Sequence, residues 1–106
     1  MVNVYKGDKV IATVKYNNNL DTWDGSNWQN GGIGHHLGLT IIEKDDSEKL
    51  YVLIHGSDWA GHNDWAEIIS EEDAFQLIMR YDSSLLAMEK FKQLNKFKNS
   101  MYKEVE

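Results

Sequence analysis

LYVLIHGSDWAGHNDWAEII, residues Leu50–Ile69, decides how the chain is read. The first five residues are apolar at every position, the pattern of a strand with neighbours on both sides. The pattern then breaks. From His55 to Glu67 the chain holds Trp59 and Trp65, His55 and His62, Asp58 and Asp64, and two glycines, a composition of turns carrying aromatics. Trp65–Ile69 resumes as a short fifth strand, with Trp65 expected in the core.

Upstream of this stretch, Leu37, Leu39 and Ile41 share one strand face, Asp45-Asp46-Ser47-Glu48 turns the chain, and Leu50–Ile54 returns as a hairpin partner. An earlier hairpin has Val2 and Val4 before a Gly7-Asp8 turn and Val10, Ala12, Val14 and Tyr16 after it. Downstream the period changes. Ser70-Glu71-Glu72-Asp73 resembles a capping box with acids in the first helical turn, and Ala74, Leu77, Ile78 and Tyr81 make a helical stripe. Asp82-Ser83-Ser84 breaks and recaps. A second helix is expected from Leu85 to Asn99, with Leu85, Met88, Phe91 and Leu94 inward and Lys90, Lys92, Lys96 and Lys98 facing water. The fold expected is α+β: an antiparallel sheet of four to five strands followed by two C-terminal helices. It is one domain over residues 1–106, with the sheet in 1–69, a long loop in 17–38, helices in 70–99 and a frayed tail in 100–106.

With no proline, glycine, asparagine and aspartate must make the turns. They cluster in NNNLDTWDGSNWQNGGIGHHLG, Asn17–Gly38, and again in His55–Asp64. The first cluster is far longer than the usual connection of about 4–6 residues. Leu20, Trp23, Trp28, Ile33 and Leu37 would be costly to leave in water, so an Ω-type loop pinned by its own aromatics fits better than disorder. Both clusters contain a small-small-polar-aromatic run, Gly25-Ser26-Asn27-Trp28 and Gly56-Ser57-Asp58-Trp59, too short to be a repeat. Tryptophans flanked by turn formers are as suited to contact as to core.

Charge is unevenly placed within the net −6. Residues 17–73 carry twelve acids against Lys44 and Lys49, which is −10, while the segments on either side are each +2. Such a middle section repels phosphate backbones and suits a basic partner, although solubility alone is the plainer explanation. Cysteine is absent, which excludes disulfide and thiolate sites and is compatible with a reducing cytoplasm. No apolar run reaches membrane-spanning length, and MVNVYKGDK lacks the character of a signal peptide. A cytoplasmic protein is expected.

His35, His36, His55 and His62, with Asp58 and Asp64 nearby, invite a metal reading. Their spacing matches neither H-E-x-x-H nor a two-plus-two zinc pattern, so no metal and no cofactor are expected. A His–carboxylate hydrolase, metal-dependent or otherwise, is the third choice, since nucleophile elbow, phosphate loop and kinase signature are all missing. Gly31-Gly32-Ile33-Gly34 does not sit between a strand and a helix and is weak as a phosphate cradle. A small-ligand binder is the runner-up. Tryptophan faces stack on sugars or bases, and WDGSNWQNGG has that composition; a homodimer is one way to build such a site.

In size, acidity, lack of cysteine and sheet-plus-helices layout the chain resembles small phage and mobile-element proteins that inhibit bacterial defence systems, the anti-CRISPR proteins among them. That group shares a role across unrelated folds, so the resemblance implies a non-catalytic inhibitor in a bacterial host cell and carries over no residue. The reading adopted is an acidic, aromatic binding surface for a basic protein that handles nucleic acid or acts in defence. Both loops are expected at one end of the sheet, with Trp23, Asp24, Trp28, Asp58, Trp59, His62 and Asp64 as the contacts.

Overall fold

The computed structural model describes residues 2–14, 35–44, 48–57, 64–81 and 83–105. Among these are five strands, β1 (Val2–Lys6), β2 (Lys9–Val14), β3 (His35–Glu43), β4 (Lys49–Ser57) and β5 (Trp65–Ile69), then helix α1 (Glu71–Tyr81) and two 3₁₀ segments, Ser83–Ala87 and Glu89–Ser100. The α+β class read from the sequence is the class observed. The chain forms two compact units, Met1–Ser70 and Glu71–Glu106.

In the first unit the strand order is β2-β1-β5-β4-β3. The expected hairpins are present: β1 with β2 around Gly7-Asp8, and β3 with β4 in unbroken register from His35↔Ser57 to Glu43↔Lys49. Gly7 takes φ 63°, a region open to glycine but strained for residues with a Cβ. The sheet is mixed rather than purely antiparallel, because β1 and β5 pair in parallel at Val4↔Ala66 and Tyr5↔Glu67. That parallel seam joins a two-stranded hairpin to the β3-β4-β5 meander.

The register explains the core. Ile54 lies opposite Ala66, and Ala66 opposite Val4, so one row crosses three strands with a methyl group between two larger side chains. Val4, Val52, Ile54 and Ala66 are fully buried and pack with Val2 and Val14; Ala12, Ile42 and Ile68 complete the cluster. Burying a valine or isoleucine side chain contributes roughly 1.5–3 kcal/mol. Leu37, Leu39 and Tyr51 alternate with this set and are buried too, which is why LYVLI shows no polar position.

The same register changes the reading of the loops. His35, His36 and His55–Ser57, expected in loops, are paired strand residues, because β3 and β4 are each nine residues long. Val14 pairs with Val2 at the start of β1, which runs parallel to β5; Trp65 pairs with His55, and Ser57 with His35. Val14, His35, Ser57 and Trp65 therefore all lie at one end of the sheet. The described residues that flank 15–34 and 58–63 thus share that end. β2 and β3 are the two outer strands in this order, so Val14 and His35 stand four interstrand spacings apart, about 19 Å. A four-residue turn cannot make that connection.

In the second unit, α1 carries Glu71, Glu72 and Asp73 in its first turn and Arg80 in its last, each sign at the dipole end that favours it. Ala74, Phe75 and Ile78 are its buried residues. The expected second helix is present as two 3₁₀ segments, parted at Met88, whose backbone is extended (φ −74°, ψ 139°). The reason lies in spacing. Leu85, Met88, Phe91, Leu94 and Phe97 recur every three residues. On an α-helix each step of three drifts about 60° around the axis, whereas a helix of three residues per turn keeps them on one edge. Phe91 and Leu94 are fully buried, and Phe97 packs on Phe75 at 5.6 Å between ring centroids. Asn95 ties the two segments by donating to the carbonyls of Leu86 (3.0 Å) and Lys92 (2.9 Å).

Candidate functional site

Strand alternation places Ala66 and Ile68 on the packed face of β5, which puts Trp65 and Glu67 together on the other. Across the β4–β5 ladder His55 stands directly opposite Trp65. The two rings stack, with centroids 4.2 Å apart and planes 12° from parallel. His55 also reaches diagonally to Glu67, with Nε2 and Oε2 2.7 Å apart. An ionised carboxylate only accepts, so Nε2–H is the donor, and the bond assigns the tautomer of a neutral ring. The outcome is an imidazole held by two different interactions from alternate residues of one strand face.

The group is open to solvent. Trp65 is 43% exposed although β5 is flanked by β1 and β4. The side chains of His55 and Glu67 are 23% and 39% exposed. Asp64, also exposed, immediately precedes Trp65. A flat, exposed indole with a carboxylate two residues along the same strand face suits a planar cation or an aromatic ring.

Of the sequence-predicted contacts, Asp64 is among the described residues, exposed and next before Trp65 in the chain. Trp23, Asp24, Trp28, Asp58, Trp59 and His62 lie outside them. Of the histidines weighed for metal, His35 and His36 are placed by backbone in β3, His62 is outside the described residues, and His55 is committed to Trp65 and Glu67. Among the described residues no three His, Cys, Asp or Glu side chains come together as a metal-binding group. The expectation that Trp65 belongs to the core is overturned by its exposure. Glu67 was not singled out by sequence, yet the signal was present: once Ala66 and Ile68 are core, period two sends Trp65 and Glu67 outward.

No helix among the described residues is long and apolar enough to cross a membrane. Comparison of the chain with protein-family models, curated proteins and solved structures found no match in any of the three.

Proposed function

We propose that this chain is a small acidic binding protein that engages a basic protein through the His55–Trp65–Glu67 face and the adjoining sheet end, blocking its partner without catalysis. One observation carries the reading: an exposed tryptophan is held rigid on an interior strand beside a carboxylate, within a section of the chain that carries −10. Rigid aromatic anchors rimmed by charge are how interfaces combine affinity with steering. The acidic section competes with phosphate for arginines and lysines, so a protein that handles nucleic acid, including one of a bacterial defence system, is the target class. Trp23, Asp24, Trp28, Asp58, Trp59 and His62 stay in this proposal as contacts, with Asp64.

The test is capture of basic partners from a host lysate in about 0.1 M salt and in 0.5 M salt, where the Debye length falls from about 10 Å to roughly 4 Å. A specific basic protein should be retained at low salt, released at high salt, and lost with Trp65→Ala or Glu67→Lys. Retention by both variants would remove this face from the interaction. The flat indole also supports a second reading, a small-ligand site for a nucleotide derivative or sugar. A thermal-stability gain with such compounds, by mass action on the native state, would favour it.

A further inference from the structure

We infer that the indole of Trp65 is a seat for an arginine side chain of the partner, with Glu67 supplying the counter-charge. This rests on the acidic-surface reading above and names what that surface recognises.

The imidazole of His55 covers one face of the indole, at 4.2 Å and nearly parallel, while 43% of Trp65 remains exposed. The stack and the strand pairing fix the ring before any partner arrives, so little side-chain freedom is left to lose on binding. Tryptophan has the most favourable face for a cation. A guanidinium is planar and weakly hydrated, so it stacks flat on such a ring; an ammonium is compact and strongly hydrated and gains less. Glu67 has Oε2 engaged by His55, and Oε1 has no partner among the described residues. Its charge lies two residues along the strand from Trp65, on the same face, within reach of a guanidinium over the indole rim. In this arrangement His55 is a positioning residue, holding both Trp65 and Glu67.

The experiment uses the full chain, ¹⁵N-labelled, and follows the indole N–H signal of Trp65, identified by its loss in Trp65→Phe. The probes are two peptides of the form acetyl-(Gly-Xaa-Ser)₄-amide, with arginine or lysine at Xaa. The arginine peptide should move the Trp65 signal and bind roughly tenfold more tightly than the lysine peptide, the factor set by a cation–π difference of that order. Trp65→Leu should erase the preference between the peptides. Glu67→Gln, close to isosteric, should weaken both by about two- to fivefold and keep the preference. Equal binding of the two peptides by the native protein, with the Trp65 signal still, overturns the arginine seat but leaves a salt-sensitive acidic surface standing. Failure of both peptides to bind overturns both readings. A Trp65 shift with adenosine monophosphate and none with the arginine peptide assigns the indole to a small ligand and overturns the inference.

Discussion

Glu67 and His55 stand at the two ends of the thirteen-residue stretch His55–Glu67, and the fold closes that stretch on itself with a hydrogen bond of 2.7 Å between their side chains. Trp65 lies within the same closure, stacked on the imidazole. Two aromatic rings and a carboxylate thus share one patch of sheet, and each constrains the next.

The coupling of that patch is measurable. His55→Ala should destabilise the protein by about 1–2 kcal/mol, since a ring pair contributes roughly 0.5–1.5 kcal/mol and a hydrogen bond about 1 kcal/mol. In a double-mutant cycle of His55→Ala and Trp65→Ala, urea unfolding should show a coupling of about 0.5–1 kcal/mol. Strict additivity would mean that the stack contributes nothing to stability.

Ile54 sits in the row Val4–Ala66–Ile54, fully buried. Ile54→Ala should cost about 2–5 kcal/mol, and Ala66→Leu about 1–3 kcal/mol through overpacking of the slot between two strands. Denaturant midpoints would report both. A loss under 1 kcal/mol for Ile54→Ala would mean that this row is not the core.

Beyond Gly7 itself and its two chain neighbours, no described atom lies within 4 Å of where a Cβ would stand, so the penalty at this position comes from φ 63°. Gly7→Ala should destabilise by about 1 kcal/mol, and Gly7→Asn by less, because asparagine tolerates that region. Equal stability of the alanine and asparagine variants would remove the backbone argument.

Acid stability should report on Glu71. The hydrogen bond from Lys96 (2.9 Å) holds its carboxyl below the usual range; one from Gln93 (2.8 Å) and the Lys96 charge act in the same direction, and burial opposes them. A depressed pKa means that the folded state favours the charged form. The contribution is therefore complete above the unfolded value of 4.5 and disappears as pH falls through the lower folded value. The pair is well exposed to solvent, so the effect should stay under about 1 kcal/mol. Native protein and Glu71→Gln, compared by thermal unfolding, should differ at pH 6 and converge toward pH 2–3. A gap that widened in acid would reverse the sign.

Much of the local structure was legible because it depends on neighbours along the chain. Gly7-Asp8 between alternating valines makes a hairpin whatever surrounds it, and the acids before Ala74 mark a helix start. The helix after Asp82-Ser83-Ser84 was equally legible, and the three-residue recurrence from Leu85 to Phe97 is what makes it 3₁₀. Of the nominated contacts, Asp64 is among the described residues and the six others lie outside them.

What sequence by itself determined about this protein is its alphabet of elements: two hairpins, a fifth strand, an acidic helix start, and a −10 section between them. Those follow from period, turn chemistry and charge, each a property of residues close in the chain. The tertiary structure decided the parallel seam of β1 and β5, the single sheet end shared by Val14, His35, Ser57 and Trp65, and the outward turn of Trp65 onto His55. Strand order and facing depend on which apolar rows meet across the sheet, and Ala66 buried between Val4 and Ile54 leaves Trp65 only the other side.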